Sequence, residues 1–311
     1  MLTFPRKVRK RSGVMTLAVI LLVGCSSAAQ PGPLNRVATP VAPLVGVYEP
    51  GVPGSWSDLS EFRSRTRLTP RIVMYFSAWH EKFRSDFAYT AWRHDAYIFI
   101  KMQPNNVTLE SIAAGVSDRY LSSYARAVRA FGHPVIISFA HEMNGHWYPW
   151  GAGHQPASAY IYAWRHVVRI FRDEHATNVI WVWTVNSIDQ EKAQGFLRRW
   201  WPGAAWVNWV GVDGYYYRTS DSFESVFGRT IAQIRSFSSA PVMIAETAVG
   251  TTSDRQTQIA QLFASARDSG VVGVVWFDVK QNKGIYHQDW RLEDDPPAST
   301  AFRSAARKFT H

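Results

Sequence analysis

Eight short apolar runs, separated by polar or helix-periodic stretches, recur along residues 44–311 and restrict the fold more than any other feature of the chain. They are Leu44–Tyr48, Arg71–Phe76, Ala96–Lys101, Val135–Phe139, Val179–Trp183, Trp209–Val212, Val242–Ala245 and Val271–Trp276. Runs of this length that lack polar/apolar alternation suit strands buried on both faces, as in a parallel sheet covered by helices. Between them, Leu121–Gly132 has a helical period that stops at a glycine. The stretch 157–171 carries Tyr160, Trp164, Val167, Val168 and Phe171 on one stripe. Strand, helix and strand in even succession predict parallel strands joined by crossover helices. The 268 residues from Leu44 to His311 match the roughly 250 of a single (β/α)8 TIM barrel. No internal repeat or second linker divides them, so one α/β domain over 44–311 is expected.

The first 43 residues have a different character. Arg6, Lys7, Arg9, Lys10 and Arg11 precede the apolar run Leu17–Val23, which is short of the roughly 20 residues a spanning helix needs and reads as a secretory signal over 1–24. The segment closes on Leu22-Val23-Gly24-Cys25, the form of a bacterial lipobox whose cysteine is lipidated after cleavage. Cys25 is the single cysteine of the chain, so no intramolecular disulfide can form and lipidation gives the thiol a purpose. A plain signal peptide cleaved near Ala28 or Ala29 is the alternative. Residues 25–43, rich in Ser, Ala, Pro and Gly, read as a flexible tether. The expected product is exported and held at a membrane surface by its N-terminal lipid.

Charge argues against a nucleic-acid partner. The formal +10 falls to +5 once the five basic leader residues are set aside, and the remaining Lys and Arg are scattered rather than clustered. Fourteen tryptophans exceed what a core needs, and some would suit sugar-stacking platforms.

Function is sought where barrels carry it, at the C-terminal ends of strands. The ends here are Glu49; Trp79 and His80; Gln103; His141 and Glu142; Asn186; Asp213 and Tyr215; Glu246; and Trp276 and Asp278. Glu142 and Glu246 each follow an apolar strand directly, where an unpaired carboxylate would cost several kcal/mol or neutralise itself. Two such groups across one barrel mouth meet the needs of retaining glycoside hydrolysis, in which one carboxylate attacks the anomeric carbon and the other moves the proton. Other chemistries fit less well. His141 and His146 lie five residues apart on a glycine-containing loop, which is not zincin spacing, and no Gly-x-Ser-x-Gly elbow or phosphate-cradling loop follows any strand. Neither a metal nor a cofactor is expected.

Several motifs are similar to those of glycoside hydrolase family 26, the β-mannanase family. They are Phe139–Gly145 (FAHEMNG), Trp147–Gly151 (WYPWG), Ile244–Ala248 (IAETA), Gly46–Gly51, Trp209–Tyr215, Val275–Asp278 and Asp289–Arg291. The resemblance covers residues 44–302 and implies a (β/α)8 barrel and a retaining endo-β-glycanase acting on β-1,4-mannan, with mixed-linkage β-glucan or β-xylan as alternatives. It further implies Glu142 as acid/base, Glu246 as nucleophile, Tyr215 as a hydrogen-bond donor to the nucleophile, and His141, Trp147 and Trp276 as sugar-binding residues. In two places the chain departs from the family pattern. Lys101-Met102-Gln103-Pro104 stands where related sequences commonly end the third strand in Trp-Glu-Pro, and Phe277 stands where some mannanases have Arg. Both changes bear on substrate choice. The rival from another class is a carbohydrate-binding lipoprotein that keeps the barrel without turnover; retention of both glutamates argues against it. A monomer is the expected state.

Overall fold

The computed structural model describes residues 40–188, 196–281 and 288–311. The signal, most of the tether and Cys25 lie outside them. Eight parallel strands close on themselves in sequence order: β1 (Leu44–Tyr48), β2 (Ile72–Ala78), β3 (Tyr97–Gln103), β4 (Val135–Phe139), β5 (Val179–Asn186), β6 (Trp209–Asp213), β7 (Val242–Thr247) and β8 (Gly273–Phe277), with β8 pairing back to β1. The helices are α1 (Ser57–Thr66), α2 (Ser85–Arg93), α3 (Leu109–Ala113), α4 (Asp118–Phe131), α5 (Ala157–Asp173), α6 (Arg229–Arg235), α7 (Arg255–Asp268) and α8 (Pro296–Thr310). This is the (β/α)8 barrel that the alternation of runs predicts, with two local variations. Two helices, α3 and α4, connect β3 to β4, and among the described residues β5 reaches β6 through short 3-10 turns at Leu197–Trp200 and Ala204–Trp206. No helix among the described residues is long and apolar enough to cross a membrane.

Side-chain alternation sorts every strand into two apolar layers. Ile72, Met74, Phe99, Ile136, Ile180, Val182, Trp209, Met243, Ala245 and Val275 fill the barrel interior. The alternate residues, such as Val47, Val73, Ile98, Val135 and Val274, pack outward in the cluster that also holds the helix stripes, Tyr160, Trp164, Val167, Val168 and Phe171 among them. The helix that the sequence ends at a glycine does end there, with Gly132 left-handed at φ 74° and its N–H on the Arg129 carbonyl. Several strands run farther at their C-terminal ends than their apolar runs. Ala78 pairs with Gln103, and Asn186 with Asp213, so polar residues at the mouth still belong to the ladder. Hydropathy ends where the barrel opens to solvent, while backbone pairing continues.

The interior is tight enough that small residues are required within it. A Cβ on Gly211 would lie 2.7 Å from Thr184 Oγ1 and 2.9 Å from Ala245 Cβ. Gly211→Ala is therefore expected to destabilise the fold by about 1–3 kcal/mol, the usual cost of overpacking a core. Urea denaturation checks this, and an unchanged midpoint would contradict the packing described.

Candidate active site

The site begins where β4 stops. Ala140 and Glu142 both take left-handed backbone conformations, φ 46° and 54°, which cost an L residue about 1–2 kcal/mol. Neighbouring strands hold them there: Ala140 N–H donates to the Met102 carbonyl on β3, and Glu142 N–H to the Thr184 carbonyl on β5, each at 2.9 Å. The turn delivers Glu142 to the mouth, where Asn186 Nδ2 donates to its Oε1 at 2.6 Å and Trp147 Nε1 to its Oε2 at 2.8 Å. Asn186 is itself fixed by a reciprocal exchange with Asn144, at 2.8 and 2.9 Å. Trp147 lies over Gly145, where a Cβ would come within 2.3 Å of the indole. Farther along the loop, Tyr148 stacks on Trp150 at 4.4 Å, and Trp150 Nε1 donates to the His141 carbonyl at 2.8 Å.

Glu246 arrives by another route. Strict alternation after Met243 and Ala245 would turn it outward. The β6–β7 register, however, pairs Val212 with Ile244 and then Asp213 with Glu246, so Ala245 is an extra residue on β7. A bulge of this kind re-aims the side chain that follows it, and Glu246 joins the mouth. Its Oε2 accepts from the Tyr215 hydroxyl at 2.5 Å, and its Oε1 accepts from Lys101 Nζ, which also donates to Asp213 Oδ2 at 2.7 Å.

The two glutamates line one cleft of about 560 Å³, together with Tyr148, Tyr215, Tyr217, Phe277, Lys280 and Trp290. Their surroundings differ. Burial, and next the negative charge of Glu246, push the Glu142 carboxyl up; Lys101, Asn186 and Trp147 oppose the shift without reversing it. Glu246 faces a buried cation and a phenol donor. Burial, reinforced by Lys101, holds His141 well below its ordinary value, so its ring is neutral.

The structure brings together Glu142, Glu246, Tyr215 and Trp147, the last being half-exposed beside Glu142. It corrects the expectation that Trp276 lines a sugar subsite. Trp276 is 0% exposed, donates from Nε1 to the Trp290 carbonyl at 3.1 Å and meets Phe302 of α8 edge-on, because strand alternation sends it outward between inward-facing Val275 and Phe277. The β8 ring on the cleft wall is Phe277, stacked on Tyr48 at 4.8 Å. His141 is also buried and lies behind Tyr148, whose hydroxyl is 3.1 Å from its Nε2. Trp79 is likewise buried, bonded to Ser117 Oγ at 3.2 Å. Lys101 is the site residue that motif reading missed. The available signal was its position two residues after Phe99 in an apolar strand, which places its side chain inside the barrel.

The sequence profile described as Glycosyl hydrolase family 26 matches residues 97–296. The chain belongs to that family. Among characterised relatives, Endoglucanase H of Acetivibrio thermocellus is 29% identical over 314 aligned positions, covering 96% of this chain and 33% of the relative. Mannan endo-1,4-beta-mannosidase A and B of Caldalkalibacillus mannanilyticus is 32% identical over 127, covering 39% of this chain and 24% of the relative. The chain thus spans about a third of the first relative's length. Among solved structures, a modular endo-beta-1,4-mannanase from Cellulomonas fimi superimposes with a TM-score of 0.66 at 18% identity, covering 85% of this chain and 70% of that one, a likeness of fold. The family-26 barrel is a glycoside hydrolase scaffold, and the cleft holding Glu142 and Glu246 opens at the end of the barrel where such scaffolds place their chemistry.

Not every carboxylate at the strand ends enters this cleft. Glu49 and Asp278 are buried side by side against α1, with Arg65 Nη2 3.4 Å from each. Burial and then Asp278 raise the Glu49 carboxyl from 4.5 to about 10. A proton bound more tightly in the folded chain stabilises it fully below the unfolded value, and that contribution is lost as pH rises from about 4.5 towards about 10. Glu49→Gln removes the titration, so the variant's thermal midpoint should fall less than the parent's between about pH 5 and pH 9. Parallel pH profiles of the midpoint would refute the shared proton.

Proposed function

We propose that the chain is a retaining endo-β-glycanase whose preferred substrate is β-1,4-mannan. The observation that carries this reading is the contrast between two glutamates in one cleft: Glu142 with its carboxyl pushed up by burial, Glu246 against Lys101 and Tyr215. A raised carboxyl holds its proton to higher pH, which suits a general acid, while a carboxylate fixed by an ammonium and a phenol donor is held in position for attack. In the first step Glu246 attacks the anomeric carbon as Glu142 protonates the departing glycosidic oxygen, leaving a glycosyl ester on Glu246. The ester removes the negative charge that held the Glu142 proton, so Glu142 now acts as base. It takes a proton from water, whose oxygen displaces Glu246 with net retention.

Mannan as the substrate is supported by the mannosidase and mannanase names among the relatives. The more extensive similarity to Endoglucanase H, over 96% of this chain, favours β-glucan as the second reading. Within the cleft, Tyr217 and Phe277 offer ring faces to sugar C–H bonds. A panel of β-mannan, mixed-linkage β-glucan and β-xylan with product analysis separates the substrates, and binding without hydrolysis of any of them would favour a non-catalytic sugar-binding protein. We also infer export and lipid anchoring at Cys25 from the basic, apolar and Leu-Val-Gly-Cys order of the first 25 residues. Mass spectrometry of the mature N-terminus should find an acylated Cys25, and a free thiol or a downstream end would contradict the anchor.

Glu246→Ala is expected to abolish turnover on every substrate. Glu142→Ala should lose about 10²–10⁴-fold on polysaccharide, the usual worth of general acid catalysis, while sparing the first step on aryl glycosides with good leaving groups. Trp147→Phe removes a hydrogen bond that favours ionised Glu142, so the alkaline limb of kcat/KM should move to higher pH. A limb moved the other way would overturn the assignment of Glu142 as acid.

A further inference from the structure

Lys101 is a cation with no exposed surface, set in β3 among apolar residues. Its side chain faces the interior with that of Phe99, and the rings of Phe76 and Phe99 lie 5.9 Å from Nζ. A bare ammonium in such a place would cost several kcal/mol, and two carboxylates balance it: Asp213 Oδ2 at 2.7 Å and Glu246 Oε1.

Two roles are possible for such a cation. It could serve as counter-ion to Asp213 and hold the barrel together, or it could hold Glu246 in place for reaction. Three observations favour the second. First, both oxygens of Glu246 are taken by donors from different strands, Lys101 from β3 and Tyr215 from beyond β6, and two donors fix the carboxylate plane where one would leave it free to rotate. Second, among the described residues Lys101 is the one hydrogen-bond partner of Asp213's side chain. Its Oδ1 has no hydrogen-bond partner; burial pushes the Asp213 carboxyl well up, and the Lys101 ammonium on Oδ2 is the foremost influence opposing that shift. An aspartate whose side chain bonds to nothing but the lysine acts through the lysine. Third, the charges balance through the reaction. When Glu246 becomes an ester it loses its negative charge, and Asp213 then keeps Lys101 from being an unpaired cation in a dry site.

We propose that Lys101, anchored by Asp213, is the positioning residue for Glu246: its Nζ fixes one carboxylate oxygen, while Asp213 holds the lysine in register throughout the cycle. The proposal rests on the reading of Glu246 as nucleophile. The other titratable groups facing this cluster are Tyr48 on β1, His141 and Glu142 after β4, and Tyr215 after β6. His141 is neutral, the tyrosines ionise only at high pH, and Lys280, about half exposed, lines the same cleft from beyond β8, so Lys101 is the buried positive charge facing Glu246.

The test compares Lys101→Met with the double variant Lys101→Met/Asp213→Asn in the full chain, measuring thermal midpoint, kcat, KM and the pH profile on polysaccharide and on an activated aryl β-glycoside. Lys101→Met leaves Asp213 buried and uncompensated, so its midpoint should drop, and the double variant should recover it. The expected kinetic result is a loss of on the order of 10²–10³ in kcat, as for removal of one preorganised donor. That loss should persist with the activated leaving group and in the double variant. Recovery of kcat together with the midpoint would reduce Lys101 to a counter-ion for Asp213 and overturn the proposal, as would a loss expressed in KM alone. If the single variant does not fold, the double variant alone decides, since no buried charge in it lacks a partner. Trapping the parent with a 2-deoxy-2-fluoro-glycosyl fluoride separates the two levels of inference. Absence of label on Glu246 sinks the nucleophile reading, whereas label there with undiminished labelling rate in the double variant sinks only the role of Lys101.

Discussion

The mouth of this barrel concentrates negative charge where water is scarce. Glu142, Asp213 and Glu246 all have less than a tenth of their surface exposed, and carboxylates so placed repel one another strongly in a medium of low dielectric. One buried ammonium, Lys101 Nζ, makes the arrangement tolerable by bonding to two of the three. The third, Glu142, meets neutral donors and its carboxyl is pushed up. The two cleft glutamates thus differ in their donors: a buried cation and a phenol meet Glu246, while neutral side chains meet Glu142.

The scaffold holds this distribution rigidly. Lys101, Asp213 and Glu246 come from three strands, each paired on both sides in a closed sheet with no edge. Two departures from regular structure occur at Glu142 and Glu246. The bulge at Ala245 brings Glu246 to the mouth, and the left-handed residues Ala140 and Glu142 turn the chain after β4. Irregular backbone of this kind persists only where its surroundings over-determine it. Here the Asn144–Asn186 exchange, the Trp147 donor and the hydrogen bonds to β3 and β5 supply that support.

Aromatic residues divide the same space. Tyr148 and Trp150 stack over His141 and seal the β4 loop, while Tyr48 and Phe277 stack at the cleft wall. Phe277 occupies a position that an arginine holds in some mannanases, so this wall offers a ring face in place of a charged donor.

The sequence by itself determined the barrel, the order of its strands and the place of Glu142 and Glu246 at the ends of β4 and β7. Strand and helix periods, and the position of a residue just past an apolar run, are local properties written in consecutive residues. Alternation also placed Lys101 inside β3 and Glu49, Trp276 and Asp278 on the outer face, although reading strand ends as one convergent set obscured it. Only the tertiary structure decided that Glu246 escapes that alternation, because the bulge at Ala245 is a matter of register between β6 and β7. Only the closed barrel, too, decided which carboxylates share Lys101 and which share Arg65. A charge on one strand finds its partner on another more than a hundred residues away, at a separation set by barrel closure and carried by no segment of sequence alone.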